Sequence, residues 1–73
     1  MTKQEYTPDW ASIEPEYRWV AVDSDGEVFK YVYKPNVNGK FWLKHGLKAK
    51  YIETIPPPGE NFINMIYERP EGQ

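Results

Sequence analysis

The 73-residue chain contains no cysteine and a single histidine, His45. Without cysteine, disulfides and thiolate metal sites are excluded, so two common stabilising cross-links of small domains are absent. A zinc site built on His45 would need carboxylates for all its remaining protein ligands. We therefore expect no metal site and no cofactor. We place His45 in a solvated loop, with contact to a phosphate or a partner as the alternative.

Long apolar runs are also missing, because none exceeds about four residues. Such runs are too short for a transmembrane helix or for the core of a signal peptide. The first residues are polar, as in an ordinary cytoplasmic start. We expect a cytoplasmic protein, synthesised in its mature form, with no membrane partner.

No constellation of residues points to catalysis. The five glycines are dispersed, so no phosphate-binding loop is present, and neither serine has a nucleophile-elbow context. The run Asp-Ser-Asp-Gly-Glu at residues 23–27 places its glycine fourth, whereas a calcium loop of the EF-hand type needs it sixth. The acids lie in turns open to water rather than in an apolar cleft. We expect a protein that is not an enzyme.

The strongest local pattern is a β-hairpin over residues 17–33. Two β-rich runs flank a turn, and a three-residue loop at 24–26 with Gly26 in the left-handed position fits best. This register pairs Trp19 with Tyr31 and Ala21 with Phe29. One face then carries aromatic side chains and the other carries valines, so the hairpin is covered on both sides or uses one side for binding. The aromatic face is expected to hold Tyr17, Trp19, Ala21, Phe29, Tyr31 and Tyr33.

Weaker patterns complete the fold. Residues 7–15 predict one helical turn with Thr7 as its cap and with Trp10 and Ile13 pointing inward. Residues 40–44 and 48–55 predict two further strands, the second a lysine-protected edge. After three prolines, the spacing within 59–69 predicts a short amphipathic helix, with a strand as the alternative.

Together these elements predict an α+β, mainly β fold in one domain, residues 1–73. A small antiparallel sheet of three or four strands (17–55) lies between an N-terminal arm with a helical turn (1–16) and a proline segment with a short C-terminal helix (56–73). An aromatic-rich core is expected, since aromatic residues make up 16% of the chain. Its expected members are Trp10, Trp19, Phe29, Tyr31, Trp42, Ile52 and Phe62.

Charge is unevenly distributed along the chain. Residues 30–50 carry six lysines and no acid, whereas the segments before and after are both acidic. Lysines interleaved with aromatic rings are typical of single-strand nucleic-acid binding, in which lysines track phosphates and rings stack on bases. Against this, the whole chain has a net charge of -2. This alternative function would use Lys40, Trp42, Lys44, Lys48 and Lys50.

Several short motifs occur together. They are Asp-Trp with a later proline in residues 9–15, Trp-x-Ala-Val-Asp-x-Asp-Gly in 19–26, Gly-x-x-Trp in 39–42, and Arg69-Pro70. In this combination the chain resembles a group of small, mostly uncharacterised proteins encoded by bacteriophages and prophages. The resemblance implies an accessory protein that acts in the bacterial host cytoplasm, and it implies no catalytic residues.

The surplus of aromatics and the two apolar hairpin faces favour an interaction protein, since aromatic side chains are common interface anchors. The leading hypothesis is a phage accessory factor that binds and modulates a host protein through Tyr17, Trp19, Tyr31 and Tyr33. A homodimer through the same face is the companion expectation if the hairpin is covered on one side only.

Overall fold

The computed structural model describes residues 6–44 and 48–72, and His45 lies outside these ranges. The fold is mainly β, as the sequence predicts. A 3-10 turn precedes the first strand and a 3-10 helix precedes the last. In chain order the elements are the turn Trp10–Ser12, β1 Trp19–Val22, β2 Glu27–Tyr31, β3 Val37–Asn38, β4 Phe41–Trp42, β5 Ala49–Thr54, the 3-10 helix Gly59–Asn64 and β6 Ile66–Glu68.

Four of the strands form one antiparallel sheet in the order β5-β2-β1-β6. β3 and β4 pair only with each other and form a separate two-stranded ribbon. The predicted edge strand is confirmed as β5, which pairs with β2. The predicted strand over 40–44 is shorter than expected and lies in the ribbon, because Trp42 bonds across to the end of β1 rather than joining the sheet.

The central hairpin has the predicted register. Trp19 pairs with Tyr31 and Ala21 pairs with Phe29. The amide of Gly26 donates to the carbonyl of Asp23 at 2.9 Å, and Gly26 has a φ of 95°. A side chain here would be strained by this φ and would also collide with the carbonyl of Ile55. Glycine is therefore required by both the turn and its neighbour.

Both faces of the hairpin are covered, which is the first of the two alternatives that its apolar faces left open. On one face the valines of β1 and β2 pack with the N-terminal arm (residues 6–17) and with Met65. On the other face Ala21 and Tyr31 pack with Trp42 and Phe62. The first cluster consists of Ile13, Tyr17, Val20, Val22, Val28 and Met65.

Tyr17 corrects the predicted division of the faces. It is buried among the valines rather than beside Trp19. The reason is that β1 begins at Trp19, so strand alternation does not extend back to Tyr17. The chain instead enters β1 from a turn in which the amide of Tyr17 donates to the carbonyl of Glu14 at 3.1 Å.

The core contains more valine and fewer of the predicted aromatic side chains than expected. Tyr31, Trp42 and Phe62 are buried as expected. The other four predicted members are only partly buried and pack on the margins of the two clusters: Trp10, Trp19, Phe29 and Ile52. The valines fill the centre, because β-branched side chains pack closely between a sheet and its covering segments.

Both chain ends depart from the expected detail. At the start, Asp9 and not Thr7 occupies the N-cap of the 3-10 turn. At the end, the helix stops at Asn64, and Ile66–Glu68 is a strand paired with β1. The strand alternative is therefore correct for residues 66–68, and the sheet extends beyond the predicted 17–55. β6 supplies backbone partners for β1, which would otherwise form the open edge of the sheet.

Across the described ranges, no helix combines the length and the apolar character needed to cross a membrane.

Candidate functional site

The β3–β4 ribbon is fixed to the sheet by one buried carboxylate. Asp23 is 1% exposed, and its Oδ1 accepts a hydrogen bond from the backbone amide of Trp42 at 2.8 Å. Its Oδ2 accepts from Nζ of Lys44 at 2.8 Å. A buried carboxylate needs such partners, because an unpaired one is costly to desolvate. Asp23 therefore links the tip of the hairpin to β4.

The indole of Trp42 provides the second attachment. Its Nε1 donates to the carbonyl of Val22 at 2.9 Å, and its ring meets the ring of Phe62 edge-on at 6.0 Å. Lys44 then folds back, bonding the carbonyl of Trp42 at 2.9 Å and covering the ring of Phe29 at 4.3 Å. Hydrogen bonds and packing together hold the ribbon in a defined position.

The outward side of the ribbon is apolar and exposed. Side chains alternate along a strand, so Phe41 and Leu43 point away from the buried Trp42. Phe41 is 53% exposed and Leu43 is 43% exposed. Tyr33, which precedes the ribbon, is 59% exposed, and Val37 of β3, which pairs with Trp42 and so lies on the face opposite Phe41, is 41% exposed. We call these four exposed side chains, which lie on both faces of the ribbon and just before it, the ribbon surface.

Charge along residues 33–44 has one sign. Residues 33–44 contain Lys34, Lys40 and Lys44 and no acid. Lys44 is neutralised by Asp23. Within the described residues, Lys34 and Lys40 have no carboxylate partner; the ammonium of Lys34 lies 5.5 Å from the ring centroid of Trp19. The segment that carries the ribbon surface is therefore apolar and contributes only positive charge, while Lys40 shares a pocket with Glu60 of the 3-10 helix.

The four predicted partner-binding residues do not form one surface. Tyr17 and Tyr31 are buried on opposite sides of the sheet, so neither is available to a partner in this structure. Trp19 is half-buried under Lys34, and Tyr33 is exposed within the ribbon surface. The sequence did carry a signal for the residues it missed: alternation in Lys-Phe-Trp-Leu-Lys places Phe41 and Leu43 opposite Trp42.

The residues of the nucleic-acid alternative are also separated. Trp42 is buried with its Nε1 bonded, so it cannot stack on a base, and Lys44 is held by Asp23. Lys40 lies beside the hairpin loop, where its carbonyl accepts from the amide of Ser24. Lys48 lies at the other end of β2 and bonds Val32 there, followed closely by Lys50. These lysines and this ring do not make a continuous path for a strand.

Three acids of the hairpin loop lie close together. One carboxylate oxygen from each of Asp23, Asp25 and Glu27 lies within 4.8 Å of the others. Both oxygens of Asp23 already accept hydrogen bonds from β4 and Lys44. Oδ1 of Asp25 accepts from the backbone amide of Glu27 at 3.1 Å, which is a turn contact. The arrangement serves the turn and the ribbon attachment.

Arg69 performs a structural task that residue spacing did not reveal. It is 4% exposed, and its guanidinium donates to the carbonyls of Tyr17 at 3.1 Å, Ile13 at 3.0 Å and Glu14 at 2.7 Å. A longer contact of 3.4 Å reaches the carbonyl of Trp10, whose ring lies 4.8 Å from the guanidinium carbon. Arg69 thereby ties the N-terminal arm to the end of β6.

One buried phenol lacks a partner. Among the described residues, the hydroxyl of Tyr31 makes no hydrogen bond. Burial, together with the negative charge of Asp23, raises the pKa of Tyr31 well above its ordinary value. The phenol is therefore neutral at physiological pH. Burying its hydroxyl in the cluster with Ala21, Trp42 and Phe62 destabilises the fold.

The fold and surface define a small, mainly antiparallel β protein with a rigidly attached ribbon that presents an apolar surface from a segment with only positive charge. The chain matches no family model, no curated protein and no solved structure.

Proposed function

We propose that this protein is a non-enzymatic binding module whose ribbon surface docks on an acidic, partly apolar surface of another protein. The observation that carries the proposal is the concentration of exposed apolar side chains, four of them, in a segment of twelve residues that contains no acid. Exposed apolar groups placed together on a small protein favour association.

The rigid attachment of the ribbon also supports a binding function. An interface that is already ordered loses less conformational entropy on binding. The bonds from Asp23 and Trp42 hold the ribbon before any partner arrives. The lysines of residues 33–44 add electrostatic steering toward a partner of negative charge. Apolar contact then supplies affinity, while the lysines supply orientation.

The resemblance to phage-encoded accessory proteins directs the search for this partner to bacterial host proteins, whose activity the bound module would modulate. Coverage of both hairpin faces within one chain favours a different partner over a homodimer through the hairpin, which stays a prediction. The proposed complex is therefore between the module and a different protein.

The test starts with affinity capture from bacterial lysate treated with nuclease, followed by isothermal titration with the purified candidate. The double variant Phe41→Ser/Leu43→Ser should bind the candidate at least about tenfold more weakly, as expected for truncated interface anchors. Ile63→Ser is the matched control, because Ile63 is 47% exposed but lies on the 3-10 helix.

Raised salt should slow association if the lysines steer it. Equal affinity of the double variant and the control would refute the ribbon surface as the binding site. Recovery that disappears after nuclease treatment would instead favour the nucleic-acid alternative.

A further inference from the structure

A second surface lies at the other edge of the molecule, along β5. This strand is the last in the sheet and pairs with β2 on one side only. Over the ranges 6–44 and 48–72, no other strand bonds to its outward side. A free edge of six residues offers backbone donors and acceptors to an extended peptide, which is a recurrent mode of recognition.

A groove of about 410 Å³ runs between this strand and the N-terminal arm. The arm contributes Tyr6, Asp9 and Ile13, and the strand contributes Tyr51, Ile52 and Glu53. The groove therefore has apolar and aromatic walls and one carboxylate on each side. Such a mixture suits a long side chain with an apolar stem and a charged head.

The two carboxylates are held in place by hydroxyl groups. Oδ2 of Asp9 accepts from Oγ of Ser12 at 2.8 Å, and Oε2 of Glu53 accepts from the hydroxyl of Tyr6 at 2.9 Å. The second oxygen of each carboxylate has no hydrogen-bond partner within the described part of the chain. Both oxygens are thus available to a donor that enters the groove.

The cation that lines the groove does not cancel this negative charge. Nζ of Lys30 is bound to the carboxylate of Glu14 at 2.6 Å. Lys30 and Glu14 offset each other, and Lys50, whose charge also acts on Glu14, is not part of the lining, so the lining itself keeps the negative charge of Asp9 and Glu53. Carboxylates paired with guanidinium or ammonium groups form the stronger class of hydrogen bond. Charge complementarity therefore selects a basic side chain.

We infer that this groove binds an extended peptide segment of another protein, which pairs with the free edge of β5 and places a lysine or arginine side chain between Asp9 and Glu53. The site is distinct from the ribbon surface and does not depend on it. Pairing with β2 is interrupted by a bulge opposite Val28 and Phe29. A bulge discourages long edge-to-edge pairing, which favours a short segment over the sheet of a second copy.

The test is a titration of the isotope-labelled full chain followed by NMR, with the probe acetyl-Val-Arg-Val-methylamide. A second probe carries citrulline in place of arginine and so keeps the shape without the charge. We expect amide shifts over residues 6–13 and 49–54, slower amide exchange along β5, and at least about tenfold weaker binding of the citrulline probe.

Two double variants distinguish the charge of the groove carboxylates from the overall negative charge of the protein. Asp9→Asn/Glu53→Gln should remove the preference for arginine while keeping acceptors for Ser12 and Tyr6. Glu60→Gln/Glu71→Gln removes the same charge away from the groove and should keep the preference.

The inference is overturned by equal affinity for the two probes, by shifts centred on the ribbon surface, or by no binding at millimolar peptide. It is also overturned if the shifts at β5 depend on protein concentration without peptide, which would indicate self-association at this edge. A ribbon variant that loses its partner but keeps the arginine preference would leave this inference intact, so the two proposals fail separately.

Discussion

Replacing Arg69 with alanine removes the group that ties the N-terminal arm to β6. The carbonyls of Tyr17 and Ile13 are buried and would lose their donor, at about 1–3 kcal/mol each. The contact with the ring of Trp10 adds about 0.5–1 kcal/mol. The carbonyl of Glu14 is only partly buried, so water replaces its donor at little cost.

Together these losses amount to about 2.5–7 kcal/mol, which is comparable to the whole stability of about 3–5 kcal/mol that a core of this size usually supplies. We therefore expect Arg69→Ala to be largely unfolded at room temperature. Arg69→Lys keeps the charge but not the planar fork that reaches several carbonyls, so it should be folded and less stable than the native chain by about 1–3 kcal/mol.

Urea unfolding followed by tryptophan fluorescence and by circular dichroism measures both variants. Agreement between the two probes would show that the transition is two-state. If Arg69→Ala loses less than about 1 kcal/mol, water or a rearranged arm satisfies the carbonyls, and the structural task assigned to Arg69 is refuted.

Three further predictions concern stability. In urea unfolding, Gly26→Ala should lower the free energy of unfolding by more than about 2 kcal/mol and Gly39→Ala by only about 1 kcal/mol. Both glycines have positive φ, but only at Gly26 would the new side chain collide with a carbonyl, so equal losses would contradict this. Tyr31→Phe should leave stability unchanged or raise it by about 1 kcal/mol, since the hydroxyl it removes is buried without a partner among the described residues; a loss above about 1 kcal/mol would show that the hydroxyl is bonded. Burial raises the pKa of Tyr6, Tyr31 and Tyr67, and for Tyr6 a bond to a carboxylate adds to the effect. The native state thus holds these protons more tightly than the unfolded chain does. The resulting contribution to the free energy of unfolding is fully present below about pH 10 and is lost as the pH rises further. Urea unfolding at rising alkaline pH should show that decline, with a smaller slope for Tyr31→Phe, and a flat profile would exclude it.

The central hairpin could be read from the sequence because its information is local. The turn needs a residue that adopts positive φ, and Gly26 provides it at the position that fixes the register of Trp19 against Tyr31. Once the register is set, strand alternation decides which side chains share a face. The edge position of β5 was indicated by its lysines, which protect an open strand edge.

The tail could not be read in the same way. Spacings of three and four residues between Phe62, Met65 and Ile66 fit a helix, and the 3-10 helix does use the first part of the segment. From Ile66 onward the open edge of β1 offers backbone partners, and that choice depends on residues more than forty positions earlier. Non-local pairing of this kind overrides a local periodic signal.

The candidate site was only partly predictable for a related reason. The positive charge and the aromatic content of residues 30–50 were visible, and Tyr33 lies on the ribbon surface as an exposed residue. Burial of Trp42 and Tyr31 was expected from the core prediction, yet both were also assigned to binding. What decided between the two roles was the bond from Asp23 to β4, which joins residues nineteen positions apart.

The contacts of Arg69 also set the order in which the molecule can be completed. Its guanidinium bonds carbonyls that lie 52 to 59 residues earlier in the chain. During synthesis the hairpin can pair as soon as β2 has left the ribosome, since its contacts are short-range. The arm has an earlier contact in the ion pair of Glu14 with Lys30, but its bonds to the guanidinium wait for residue 69. Because Met65 belongs to the first cluster and Arg69 holds the arm over it, that cluster can be completed only after both residues have emerged, and until then part of the valine face is open to chaperones, proteases or other nascent chains.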